Sequence, residues 1–231
     1  MLRQIFIIIS LCLISYSAVA SEDTTSQEKK KEYYQSPLEF ALDVQYYAPS
    51  YKKYVYDKSS TTSAEGLTSE IGKGAQVSFE WLPFGNKIGK FGIGVGTGFS
   101  MIDTASITVD TTTRSVSLFV IPTQAFLSYR LDFFQNQIIV PFAKIGGSAS
   151  WLRQTLDGGT SDKMAYGLDY SVGGELCLNA IESRAGRELD ARFGVNGTYL
   201  IFEYLKSQKL SETNLVNLAY DAFRFGMRFE F

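Results

Sequence analysis

Phe223-Arg224-Phe225-Gly226-Met227-Arg228-Phe229-Glu230-Phe231 is the stretch on which the fold turns. Every odd position is aromatic or Met. The even positions carry two Arg, one Gly and one Glu. A period of two belongs to a β-strand, whose successive side chains point to opposite faces. One face of this strand is wholly apolar and the other is charged.

The same rhythm runs back through the chain. Leu38, Phe40, Leu42, Val44 and Tyr46 alternate with Glu39, Ala41, Asp43, Gln45 and Tyr47. Val77, Phe79 and Trp81 alternate with Gln76, Ser78 and Glu80. Phe91, Ile93, Val95 and Phe99 alternate with glycines and Ser100. Further strands are expected over 123–131, 138–151 and 168–178, with a seventh near 192–204 blurred by a bulge. The count is about eight, counting the C-terminal stretch. Long polar loops are expected at 49–73, 102–114, 152–165 and 205–217, and shorter joins at 83–90 and 132–137. The join 181–191 has room for one or two helical turns. Long loops at one end and short turns at the other are the pattern of an up-and-down antiparallel transmembrane barrel.

A soluble β-sandwich or lipocalin-like barrel also alternates. The difference lies in which face meets solvent. Here the set opposite the apolar one is often Gly or Ser, as at 92–100, which suits a crowded barrel interior. Phe40, Leu42, Val44, Val77, Phe79, Ile93, Val95, Phe225 and Met227 then face lipid tails. Tyr46, Trp81, Phe91, Tyr129, Trp151, Phe229 and Phe231 lie nearer the membrane interfaces.

The first twenty residues read as a cleaved signal peptide. Arg3 precedes an apolar core from Ile5 to Ile14. Ala18 and Ala20 occupy the small-residue positions before Ser21. That core is shorter than the roughly 20 residues a membrane helix needs. Residues 21–37 are polar and aperiodic, and are expected to form a flexible periplasmic tail. The barrel domain is expected over 38–231.

The C-terminal alternation of Phe223, Phe225, Met227, Phe229 and Phe231 resembles the terminal signature of bacterial outer-membrane proteins. With the strand count, residues 38–231 look like the small-barrel superfamily of the OmpA transmembrane domain, OmpX and OmpW. The resemblance implies that the barrel assembly machinery reads the last strand during insertion. It also implies a place in the outer membrane of a Gram-negative bacterium, among its lipids. No peptidoglycan-binding domain of the OmpA kind is expected to follow.

An eight-stranded barrel is narrow enough for side chains to fill it. The expected inward charges are Glu39, Asp43, Glu80, Arg130, Lys144, Asp169, Glu175, Arg224, Arg228 and Glu230, six acids and four bases. Across the seam between first and last strands, Glu39 is expected opposite Arg228, and Asp43 opposite Arg224. Buried charges persist only when paired, so an ion-pair plug is expected.

The chain contains no histidine, which removes the usual Ser–His chemistry of barrel enzymes. Lys144 with Ser148 or Ser128 is the remaining dyad on paper. Cys177, alone in the mature chain, forms neither an intrachain disulfide nor a multi-cysteine metal site. The glycines of 92–98 do not fit a nucleotide fingerprint, and no basic block points to nucleic acid. No catalytic residue, metal or cofactor is expected. The expected role is non-enzymatic, as an envelope-structural or surface-interaction barrel. A narrow, OmpW-like path for small or apolar molecules is the alternative, and a lipid-modifying enzyme stands third. The longest loop, with its Tyr, Lys and Ser, offers a surface for an extracellular partner.

Overall fold

A computed structural model gives the protein as one closed barrel of eight antiparallel strands in up-and-down order. The strands are β1 (Glu39–Tyr51), β2 (Lys73–Asn86), β3 (Gly89–Val109), β4 (Thr112–Arg130), β5 (Ile139–Leu156), β6 (Gly159–Cys177), β7 (Gly197–Lys209) and β8 (Tyr220–Glu230). A short helix, α1 (Leu178–Ile181), follows β6. The structure describes residues 39–51, 71–86, 89–109, 112–133, 137–156, 159–181, 188–189, 191–209 and 219–231. The signal sequence with Ala18, Ala20 and Ser21, the tail 21–37 and most of the first long loop lie outside these residues.

The period of two sorts the side chains as the sequence suggests. In β1, Ala41, Asp43, Gln45 and Tyr47 are buried while Val44 and Tyr46 are exposed. In β2, Gln76, Ser78 and Glu80 turn in and Val77, Phe79 and Trp81 turn out. In β8, Arg224, Arg228 and Glu230 turn in, and Phe223 is 69% exposed. A soluble barrel would bury the apolar set and wet the charged one. This barrel does the reverse, with Val95 57% and Val172 60% exposed on its outer wall.

The seam that closes the barrel pairs β1 with β8, and Asp43 stands opposite Arg228. The expected register, with Asp43 opposite Arg224 and Glu39 opposite Arg228, is therefore displaced. Backbone bonds in both directions between Phe40 and Phe231 pin the end of the seam. Alternation fixes the face of a residue but not the stagger between strands, which closure of the whole barrel sets.

Two of the expected long loops are strand instead, and so is most of the expected join 83–90, where Asn86 of β2 pairs with Gly89 of β3. β3 runs to Val109 and turns straight into β4 at Thr112, so most of 102–114 is hairpin. Likewise Leu156 pairs with Gly159, which makes 152–165 the tip of the β5–β6 hairpin. The first long segment is rich in Thr and Ser and the second in charged residues and Gly, so neither shows a clear apolar period. β7 lies at Gly197–Lys209 rather than 192–204, and its register with both neighbours is unbroken. The irregularities fall at Trp81/Phe84 and Ile102/Ala105. What blurs the seventh period is composition. Ile201 and Leu205 face in, Lys206 is half-buried and Gln208 faces out. Before β7, residues 191–193 are helical and Gly194 turns the chain at φ 67°. The helical part of this join begins at Leu178, ahead of the expected 181. The Asn179 side chain ties the join together, donating to the Asn196 carbonyl at 3.1 Å and accepting from Thr198 N–H at 3.1 Å.

The glycines of β3 serve the interior. Gly92, Gly94 and Gly96 all face in. A Cβ on Gly92 would collide with the Glu80 carboxylate and the Ser128 hydroxyl. Gly92→Ala is therefore expected to destabilise the barrel by about 1–3 kcal/mol through overpacking. Urea unfolding in detergent micelles measures this, and an unchanged midpoint would remove the spacing role.

Candidate functional site: the lumen

Every strand contributes to the lumen, but one side chain spans it. The Arg228 guanidinium of β8 donates from Nε to Asp43 Oδ1 at 2.6 Å, and from Nη1 to Glu175 Oε1 at 2.6 Å. Its Nη2 reaches Asp43 Oδ2 at 3.1 Å and also Glu80. One cation so joins β8 to β1, β2 and β6. Arg228, Glu80 and Glu175 are each 0% exposed. The planar fork suits arginine to this task. Ser78 donates to Asp43 at 3.1 Å and Ser128 donates to Glu80.

Toward the chain termini, Arg130 takes Glu230 and the second oxygen of Glu175, with its guanidinium over the Tyr199 ring at 5.3 Å. At that mouth Lys90 binds Glu39 at 2.6 Å and approaches Asp132 at 3.9 Å. On the other side of Arg228, Lys144 lies 3.4 Å from Asp43 and 3.6 Å from Glu203. The rings of Phe126 and Phe142 flank its ammonium, each at 5.0 Å. Arg224 donates to Glu203 at 3.3 Å and to Gln124 at 3.2 Å, and sits over the Tyr47 ring at 5.3 Å.

All ten expected charges line the lumen, and nine enter ion pairs. The tenth, Asp169, is buried with no hydrogen-bond partner for either oxygen among the described residues. Three network members escaped the sequence reading: Glu203, Lys90 and, at the mouth, Asp132. Glu203 lay hidden in the mixed period of β7. Lys90 was legible, because it continues the inward face of Gly92, Gly94 and Gly96 by two residues. The paper dyad takes other partners. The Lys144 ammonium is held by carboxylates and the Ser128 hydroxyl donates a hydrogen bond to Glu80.

Nearer the long hairpins the lumen is apolar and aromatic. Ile102, Leu118, Val120, Leu152 and Leu205 are buried there. Tyr220 packs against Tyr47 at 6.1 Å and Tyr51 at 5.4 Å, and the Tyr51 hydroxyl meets Ser100 at 2.6 Å. This layer was not foreseen, since apolar side chains occur there on both faces and give no contrast.

No protein-family model matches the sequence, and no curated protein matches it. Among solved structures, the chain is similar to the outer membrane protein OprG from Pseudomonas aeruginosa. That match has 10% identity over 84% of this chain and 95% of the other, with a TM-score of 0.52. It is similar to a major outer membrane protein from Thermus thermophilus, at 10% identity over 84% and 99% of the two chains, with a TM-score of 0.50. Neisserial surface protein A gives 15% identity over 85% and 98%, with a TM-score of 0.48. What this chain shares with such proteins is the fold, a small closed antiparallel barrel of the kind found in outer membranes.

Proposed function

We propose that the protein is an integral outer-membrane barrel of a Gram-negative bacterium, sealed by its ion-pair network and non-enzymatic in role. The observation that carries this reading is the inversion of the barrel, with charge inside and an apolar belt outside. Such a belt needs lipid to cover it. Its upper limit is marked on the β5–β6 hairpin. There Trp151 gives way to Arg153, which holds Asp162 in a two-pronged, half-exposed pair at 2.9 and 3.2 Å. Arg153 also lies over the Trp151 ring at 4.9 Å. Aromatic rings beside charged pairs suit a membrane–water boundary.

In this reading residues 1–20 direct export and 21–37 form the periplasmic tail. The barrel assembly machinery reads the outward row Phe223, Phe225, Met227 and Phe229 with Phe231. The hairpins β3–β4 and β5–β6 stand on the cell's outer side, where they are available to an extracellular partner. The role is to hold structure in the envelope and present that surface.

The test is planar-bilayer recording of the purified full chain, alongside heat-modifiability on detergent gels. The expected result is a mobility shift on boiling and no conductance steps. Steps from a folded barrel would replace the sealed reading with the narrow-channel one. Release of the protein by carbonate washing would overturn the membrane reading itself.

A further inference from the structure

Asp169 is the carboxylate that the plug leaves without a direct partner. Among the described residues, Glu39, Asp43, Glu80, Glu175, Glu203 and Glu230 each meet a cation. Asp169 is 4% exposed. The Ser207 and Ser148 hydroxyls lie beside it without reaching hydrogen-bond geometry. A buried carboxylate without hydrogen bonds is strongly disfavoured, so the site calls for a partner.

The surroundings say which. Asp169 lines a cavity of about 10 Å³, together with Ser171, Arg224, Lys144, Glu203 and Gln124. Two other wall groups make no hydrogen bond by distance and angle, Arg224 Nε and the hydroxyl of Ser171, which lies beside Glu203. The unmet set is thus two carboxylate acceptors, one hydroxyl and one guanidinium N–H. That volume is about one water molecule, and a water needs two to four polar partners. A metal cation is opposed by the Lys144 ammonium and Arg224 guanidinium in the same wall. An anion is opposed by Asp169 and Glu203. The guest must be small, neutral, and both donor and acceptor.

We propose that this cavity is a binding site for a single ordered water, which donates to Asp169 and accepts from Arg224 Nε, with Ser171 as its third partner. The bridge turns Asp169 and Arg224 into a solvent-linked ion pair. Arg224 then serves Glu203 directly and Asp169 through water. The plug is then hydrated at the joint between Asp169 and Arg224. The site lies in the sealed lumen but holds whether or not the barrel conducts, so its failure is separable from that of the sealed reading.

The test is a near-atomic-resolution crystal structure of the full chain in detergent, grown in sodium and soaked in rubidium. The expected result is one peak within hydrogen-bond distance of Asp169, Ser171 and Arg224, with no rubidium anomalous signal. A dry cavity, a rubidium signal, or a direct protein hydrogen bond to Asp169 would each overturn the proposal. Two variants give the same answer in solution, through water cross-peaks to the Ser171 amide in deuterated micelles. Asp169→Asn is expected to keep the cross-peak, since an amide both donates and accepts. Asp169→Leu is expected to abolish it. Persistence in the Leu variant, or absence from the wild type, would count against the site.

Discussion

Replacing Arg228 with Leu is expected to destabilise the barrel by at least about 3–5 kcal/mol, the cost of stranding buried charge. The three carboxylates are not affected equally. Glu175 keeps Arg130, and Asp43 keeps Lys144 and Ser78. Among the described residues, Glu80 keeps only the Ser128 hydroxyl. Most of the loss should therefore lie with Glu80, and the double variant Arg228→Leu/Glu80→Gln should recover part of it. Arg228→Lys should fall between, because one ammonium cannot reach three strands as a planar fork does. Urea unfolding of the four proteins in micelles measures the series. If Arg228→Leu costs less than about 1 kcal/mol, as an exposed pair would, the lumen is wet and the plug is not a plug.

The second large effect is expected on the outer wall. Val95 sits midway along the outward run from Phe91 to Met101 and is 57% exposed. In water, a surface substitution there would cost within about 0.5 kcal/mol. In a bilayer, Val95→Arg is expected to cost about 2–4 kcal/mol, as charged residues do at the midplane of transmembrane barrels. Met164, also outward-facing, lies two residues from Asp162 near the proposed boundary. Met164→Arg should cost only about 0–1 kcal/mol. Folding titrations into phospholipid vesicles give both values. Equal and small penalties at the two sites would sink the membrane placement, because only a depth-dependent solvent separates them.

How far the sequence reached can be followed residue by residue. β1 and β8 were legible because each has one wholly apolar face and one that is polar. The hairpin ends of β3–β6 were not, since the Thr and Ser of 104–113 and the charged residues and glycines of 153–163 leave no apolar period to count. The inward set was legible as a set, because facing follows from counting by two. The pairs within it were not. Asp43 meets Arg228 rather than Arg224 because the partner depends on the stagger of strands far apart in sequence. Glu203 shows a different limit. Its strand alternates in geometry but not in polarity, so the only signal was its distance from neighbours whose own positions were misplaced.

The position of Arg228 in the chain has a consequence for how the barrel comes into being. β1, β2 and β6 carry Asp43, Glu80 and Glu175, and β8 carries the cation that all three share. Without the eighth strand in place, Glu80 has no cation among the described residues. A barrel missing its last strand is therefore open at the seam and uncompensated at its centre. The same residue that completes the ladder opposite Asp43 also discharges the interior. Closing the ladder and neutralising Glu80 therefore fall to the same strand, and the seam cannot open without exposing an unpaired charge at the centre of the barrel.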